Sequence, residues 1–213
     1  MKKIVLIGDS VRMGYDKYVK EKLKDVAIVE YPKTNCSYAQ TVLRYSVDWR
    51  DEAGWDDADL VHWNAGLHDV LELFGEEPMT PPEFYELLIK RIHKRLRLLF
   101  PSAKIVFATS TAVLEEEYGE NFKRRNSVIK QYNEIAKNAL KDTDAIINDL
   151  FAITENCPRD CHNDVTHYGN EKGIKLLGDQ VLSVICRELS LPLPIDELKD
   201  FTPENYTADQ ILK

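Results

Sequence analysis

The 213-residue sequence has no apolar run approaching the ~20 residues that span a bilayer. Its opening Met1-Lys2-Lys3 is followed by only four apolar residues before Gly8-Asp9-Ser10, too short a stretch for a signal peptide. Cysteine is scarce: Cys36, Cys157, Cys161 and Cys186 are too few and too scattered for a disulfide scaffold, so a reduced, cytoplasmic protein with no membrane partner is expected. Positive charge is also in deficit. Lys and Arg number 28 against 36 Asp and Glu, and the net charge of −8 repels nucleic acid, which is therefore not an expected partner. The one basic stretch, Lys90, Arg91, His93, Lys94, Arg95 and Arg97, is interleaved with Leu88, Ile92, Leu96 and Leu99 at helical spacing and reads as a solvated helix face. In that reading His93 is a solvated residue without a role. There is no internal repeat, no low-complexity segment and no pooling of Pro and Gly into a linker, so nothing argues for a second domain.

What the chain does have is the composition of a folded globular protein, 44% hydrophobic and 30% charged. Short apolar runs at Ile4 to Ile7, Val26 to Val29, Leu60 to Trp63, Ile105 to Ala108 and Ala145 to Ile147 read as five buried strands. Helical spacing falls between them at about 12 to 24, 38 to 47, 82 to 99, 121 to 141 and 169 to 190. This alternation predicts an α/β fold: a three-layer α/β/α sandwich around a five-stranded parallel sheet, because parallel strands need long crossover connections and each face of the sheet must be covered. Residues 1–190 form the predicted catalytic domain, and the proline-bearing tail 191–213 is expected to pack on the outside of the same domain, with its cover of a core edge or of a second copy in a homo-oligomer left open. Gly66 to Pro82 is a long loop that can border a site.

Sheets of this class bind ligands beyond the C-terminal ends of their strands. There the first strand is followed by Gly8-Asp9-Ser10, with Gly8 permitting a tight turn and Ser10 landing near the start of the next helix. Asp9 or Ser10 could equally be a plain helix cap. Far downstream, Asp164-Val165-Thr166-His167 precedes the last helix, at a separation that lets a carboxylate orient an imidazole. Either motif alone is weak. Together they supply a nucleophile, a general base and an orienting acid at one sheet edge. Two other chemistries fit less well. The first loop matches neither a Walker A nor a dinucleotide-binding fingerprint, and Asp9 would repel a phosphate. Cys157, Cys161, His162 and His167 contain zinc's preferred ligand types, but the Cys-x-x-x-Cys spacing is not that of a structural knuckle and the cluster would consume the base. No metal is expected.

In these blocks the chain resembles the SGNH (GDSL-like) hydrolases over residues 4 to about 190, with their Gly-Asp-Ser block at Ser10 and their Asp-x-x-His block at Asp164 and His167. The resemblance implies a flavodoxin-like sandwich and a serine esterase, with Ser10, His167 and Asp164 catalytic and with no cofactor. It also implies an oxyanion hole made by the Ser10 N–H, the Asn64 amide in His62-Trp63-Asn64-Ala65 and a backbone N–H after the second strand. There the family uses a glycine, this chain has Cys36, and the role passes to its N–H. Position 62 departs from the family's Gly-x-Asn-Asp, with His62 for the glycine and Ala65 for the aspartate. Asp9, Trp63 and His68 are the expected substrate-contacting residues, His68 and its neighbour Asp69 being open to a capping role as well. The implied partner is a small-molecule ester, with a short acyl group, acetyl above all, on a carbohydrate or other small alcohol. A thioesterase, a lysophospholipase or a non-catalytic binder on the same fold are the alternatives.

Overall fold

The computed structural model describes residues 1–212. Strand β1 (Lys2–Ile7) leads into a one-turn helix α1 (Ser10–Met13) and then α2 (Asp16–Leu23). The chain continues through β2 (Ala27–Glu30), α3 (Ala39–Ala53), β3 (Leu60–Trp63), a short strand β4 (Glu72–Leu73) and α4 (Pro82–Leu99). After β5 (Lys104–Ala108) come a second short strand β6 (Phe122–Lys123), α5 (Asn126–Leu140), β7 (Ile146–Asn148), α6 (Leu150–Thr154) and α7 (Glu171–Leu189). Two single-turn helices, α8 (Pro203–Tyr206) and α9 (Asp209–Leu212), lie in the tail.

The main sheet is five-stranded and parallel throughout, in the order β2-β1-β3-β5-β7. Its strands read as continuous apolar runs because both faces are covered: Ile4 to Ile7 and Leu60 to Trp63 are buried without alternation. Helices α3, α4 and α5 pack side by side, while α2 packs against α7. From β1 the chain steps outward to β2 and then returns to β3 on β1's other side, so the topological switch lies between β1 and β3. A ligand crevice belongs at the C-terminal ends of these two strands.

Four sequence expectations change. The helix read as 12 to 24 is broken after Met13, whose carbonyl accepts from the Ala208 N–H (3.1 Å) and the Thr207 hydroxyl (3.2 Å) of the tail. The helix read from 121 starts at Asn126, because Phe122 and Lys123 instead pair antiparallel with Leu73 and Glu72. His93 is not solvated: it is 5% exposed, with Nε2 3.1 Å from Asp144. The tail does not merely pack outside, since Thr207 and Ile211 are buried and Gln210 and Ile211 line the cleft described below. No helix among the described residues is long and apolar enough to cross a membrane.

Candidate active site

Ser10 is the first residue of α1, directly beyond β1. Asp9 caps this helix, its Oδ1 accepting from the Val11 N–H at 3.0 Å, which leaves the Ser10 N–H among the unpaired donors of a helix start. The loop before α7 brings His167 to Ser10 with Nε2 2.7 Å from Oγ. On the far side of the ring, Nδ1 is 2.7 Å from Asp164 Oδ2. Asp164 Oδ1 accepts from the backbone N–H groups of Thr166 (2.7 Å) and His167 (2.8 Å), so the turn that holds the carboxylate also orients it. Burial pushes the Asp164 carboxyl up, but the His167 hydrogen bond and charge and these two N–H groups outweigh it and hold the group at about 2. An ionised Asp164 accepting from Nδ1–H fixes the tautomer in which Nε2 is free to accept from the Ser10 hydroxyl.

Asn64 follows β3, and its N–H donates to the Ile7 carbonyl at 3.0 Å, which ties it to the end of β1. Its side chain lies flat on residue 8. A Cβ there would overlap Asn64 Oδ1 and stand 2.9 Å from Asn64 Cγ, so this position needs a glycine for space. Gly8 is not among the glycines with positive φ, so it is space, and not backbone conformation, that holds this position to glycine. The Asn64 Oδ1 is buried against Gly8 without a hydrogen-bond partner.

Ser10, Asp164 and His167 border a cleft of about 420 Å³ whose walls also include Asn35, His68, Arg124 and Gln210. A larger groove of about 500 Å³ between α3 and α4 has no serine, cysteine or histidine in its lining and offers no comparable chemistry. His68 does line the cleft, edge-on to Tyr38 at 5.3 Å. Burial holds its imidazole below the ordinary histidine value, and the charges of Arg124 and His167 push the same way against Asp9.

Three expected residues fall elsewhere. Trp63 is fully buried in β3, edge-on to Phe107 at 4.8 Å, and contacts the core rather than a substrate. Asp9 is fully buried as the α1 cap and does not reach the cleft. The Cys36 N–H donates to the Gly8 carbonyl at 3.1 Å and is not free for an oxyanion; burial pushes the thiol itself up to about 11. Asp69 is also buried, accepting from the Thr80 hydroxyl (2.7 Å) and from the Ala39 N–H at the start of α3 (3.0 Å). His62, in the family's glycine position, is buried with Nε2 3.1 Å from Asn148 Nδ2. Among the described residues no group of three or more His, Cys, Asp and Glu is placed to share a metal ion, and His167, which a zinc cluster would need, is engaged by Ser10 and Asp164.

Two residues of the site were invisible in the sequence. Arg12, 1% exposed and paired with Asp16, donates to the carbonyls of Gly8 (3.3 Å) and Thr34 (2.8 Å), clamping the ends of the β1 and β2 loops together. Arg124, 5% exposed, donates through Nε to the Leu67 carbonyl and through Nη1 to the Tyr118 hydroxyl (3.2 Å). Arg124 follows β6 directly, and nothing in the run Lys123-Arg124-Arg125 marks its middle arginine as the buried one.

No family model and no curated protein matches the sequence. Among solved structures, a lipase/acylhydrolase from Enterococcus faecalis superposes with a TM-score of 0.69 at 17% identity, over 92% of this chain and 100% of that one. A GDSL-like lipase from Bacteroides thetaiotaomicron gives 0.65 at 15% identity, over 88% and 89% of the two chains. An acetyl xylan esterase gives 0.64 at 18%, over 86% and 99%. With the same parallel sheet and the switch-point crevice, the chain has the three-layer fold of the SGNH (GDSL-like) hydrolases.

Proposed function

We propose that this chain is a serine carboxylic-ester hydrolase, and the observation that carries the reading is the unbroken line Asp164, His167, Ser10 with 2.7 Å at each link. The Ser10 hydroxyl attacks the ester carbonyl as His167 Nε2 takes its proton; the imidazolium, held by Asp164, then protonates the leaving alcohol. Water hydrolyses the acyl-serine by the same route in reverse. The developing oxyanion is met by the Ser10 N–H and the Asn64 side-chain amide, a two-donor hole because the Cys36 N–H is already bonded to Gly8. No step written this way needs a metal or an organic cofactor.

The favoured substrate is a short acyl ester, acetyl above all, of a carbohydrate or another small alcohol. A cleft of about 420 Å³ suits a small ester, and a structurally similar protein is an acetyl xylan esterase. The four free cysteines fit a cytoplasmic setting.

The test is hydrolysis of p-nitrophenyl acetate, butyrate and octanoate by wild-type and Ser10→Ala protein. Serine-dependent turnover that falls with acyl length is expected, with Ser10→Ala folded and inactive. Undiminished hydrolysis by Ser10→Ala defeats the mechanism; no turnover of any ester by wild type moves the reading to a thioesterase or a non-catalytic binder.

A further inference from the structure

We propose that Arg124 is an anion-recognition residue of this cleft, and that the esters it takes carry a carboxylate on their alcohol part. The proposal rests on the ester-hydrolase reading above and names its substrate class.

Two arginines of the chain are buried, and they differ in one respect. Arg12 is neutralised by Asp16, whereas no carboxylate of the described residues forms a salt bridge with Arg124. A guanidinium taken out of water without a counter-charge is held at a cost that a bound anion would offset. The neighbouring Arg125 accentuates the contrast: it reaches the buried Glu72 with Nε and Nη2 at 3.0 and 2.8 Å, so the one acid of this hairpin is taken. Arg124 is instead fixed by neutral groups. The Leu67 carbonyl and the Tyr118 hydroxyl each accept one of its N–H groups, and the guanidinium lies over the Phe122 ring at 5.4 Å.

Those contacts use Nε and Nη1. Nη2 makes no hydrogen bond to a described residue, and it is not among the solvent-excluded atoms that lack partners, so it is the nitrogen left at the cleft surface. Among the described residues lining the cleft, Arg124 is the one lysine or arginine, and it shares the walls with Ser10 and His167. Asp164, the one carboxylate among the described lining residues, has both oxygens committed to its own turn and to His167. A charge held by three immobile neighbours, with two free N–H groups facing the reacting serine's cleft, is preorganised for a charge-assisted hydrogen bond to an anionic oxygen. The short acyl group belongs at Ser10 and Asn64, which puts the anion on the alcohol.

Arg124 also braces the catalytic loop, since the Tyr118 hydroxyl it holds is 2.5 Å from Thr166 Oγ1, next to His167. The experiment must separate bracing from recognition. The readout is the ratio of kcat/KM for 4-acetoxybenzoate over that for its neutral isostere 4-acetoxybenzamide, in wild type, Arg124→Gln, Arg124→Lys and Tyr118→Phe. Recognition predicts a wild-type ratio of about 10 or more, a ratio about tenfold lower and near one in Arg124→Gln, and partial recovery of the ratio in Arg124→Lys. Tyr118→Phe, which removes the brace and keeps the cation, lowers both rates and preserves the ratio. A wild-type ratio near one, or equal losses on both esters in Arg124→Gln, overturns the proposal. Should Arg124→Gln not fold, wild type, Arg124→Lys and Tyr118→Phe still decide it. If neither ester is turned over, the hydrolase reading fails, and calorimetric binding of 4-hydroxybenzoate against 4-hydroxybenzamide reads the Arg124 subsite separately: preference for the carboxylate upholds it and equal binding refutes it.

Discussion

Gly8→Ala isolates the contact that positions the proposed oxyanion donor. The new methyl would overlap Asn64 Oδ1 and come within 2.9 Å of Asn64 Cγ and 2.8 Å of Arg12 Cβ. Residue 64 cannot retreat through its backbone, because its N–H is bonded to Ile7 at the end of β1. The side chain must therefore rotate away, and the amide leaves the place where the carbonyl oxygen would develop charge. The expected loss is that of one oxyanion donor, about 10²–10³ in kcat, the same as for Asn64→Ala. Overpacking should also cost about 1–3 kcal/mol of stability, which lowers Tm by roughly 2–4 °C per kcal/mol for a chain of this size. The decisive variant is the double one. With Ala at 64 the overlap with the amide is gone, so Gly8→Ala/Asn64→Ala should lose no more kcat than either single variant and should regain part of the stability, the Arg12 conflict remaining. Steady-state kinetics on p-nitrophenyl acetate and urea unfolding measure both. If the two kcat losses multiply instead, to about 10⁴ or beyond, Gly8 acts on catalysis by some route other than Asn64 and the argument fails.

Further predictions concern the acids and the displaced residues. Asp164→Asn should lower kcat by about 10⁴, the cost of the wrong imidazole tautomer; a loss below tenfold would show that the carboxylate does not orient His167. Because the folded-state value of Asp164 lies below its ordinary one, its contribution to stability is present above pH 3.8 and is lost as pH falls toward 2, so the acid limb of the unfolding curve should flatten in Asp164→Asn. Asp69 has the opposite sign: burial pushes its carboxyl up to about 6 against the donors from Thr80 and Ala39, so stability falls as pH rises from 3.8 through 6. Relative to Asp69→Asn, wild type should lose about 3 kcal/mol between pH 4 and 7.5 in urea titrations, and parallel curves for the two proteins would refute this. Trp63→Ala should cost about 3–5 kcal/mol of stability while leaving KM unchanged in the folded protein; a change in KM would return Trp63 to the binding residues.

The strands were legible because a sheet covered on both faces leaves uninterrupted apolar runs, and Ile4 to Ile7 and Leu60 to Trp63 stand out without any knowledge of what covers them. The positions of Ser10, Asn64, Asp164 and His167 followed from the same logic, since each lies just beyond a strand or just before a helix at the switch point. What could not be read were contacts that depend on partners far along the chain. The break after Met13 falls at Gly14, a local signal too weak by itself to end a helix, and it is closed by Thr207 and Ala208 from the far end of the chain, which nothing at 12 to 24 encodes. Strands of two residues, such as Phe122–Lys123, are too short for period-two alternation to emerge, and Arg124, which lies between this strand and the helix that begins at Asn126, carries no periodic signal of its burial. The same limit governed position 36. The sequence shows a cysteine where a glycine N–H would be wanted, but whether that N–H is free is decided by the Gly8 carbonyl opposite it, and Gly8 itself is held to its identity by Asn64. Gly8 thus links the two proposed oxyanion donors and the position that is not one: it comes two residues before Ser10, makes room for the Asn64 amide and takes up the Cys36 N–H through its carbonyl. The oxyanion geometry is accordingly a property of one glycine's surroundings, which is why a single added methyl group is the most incisive perturbation of it.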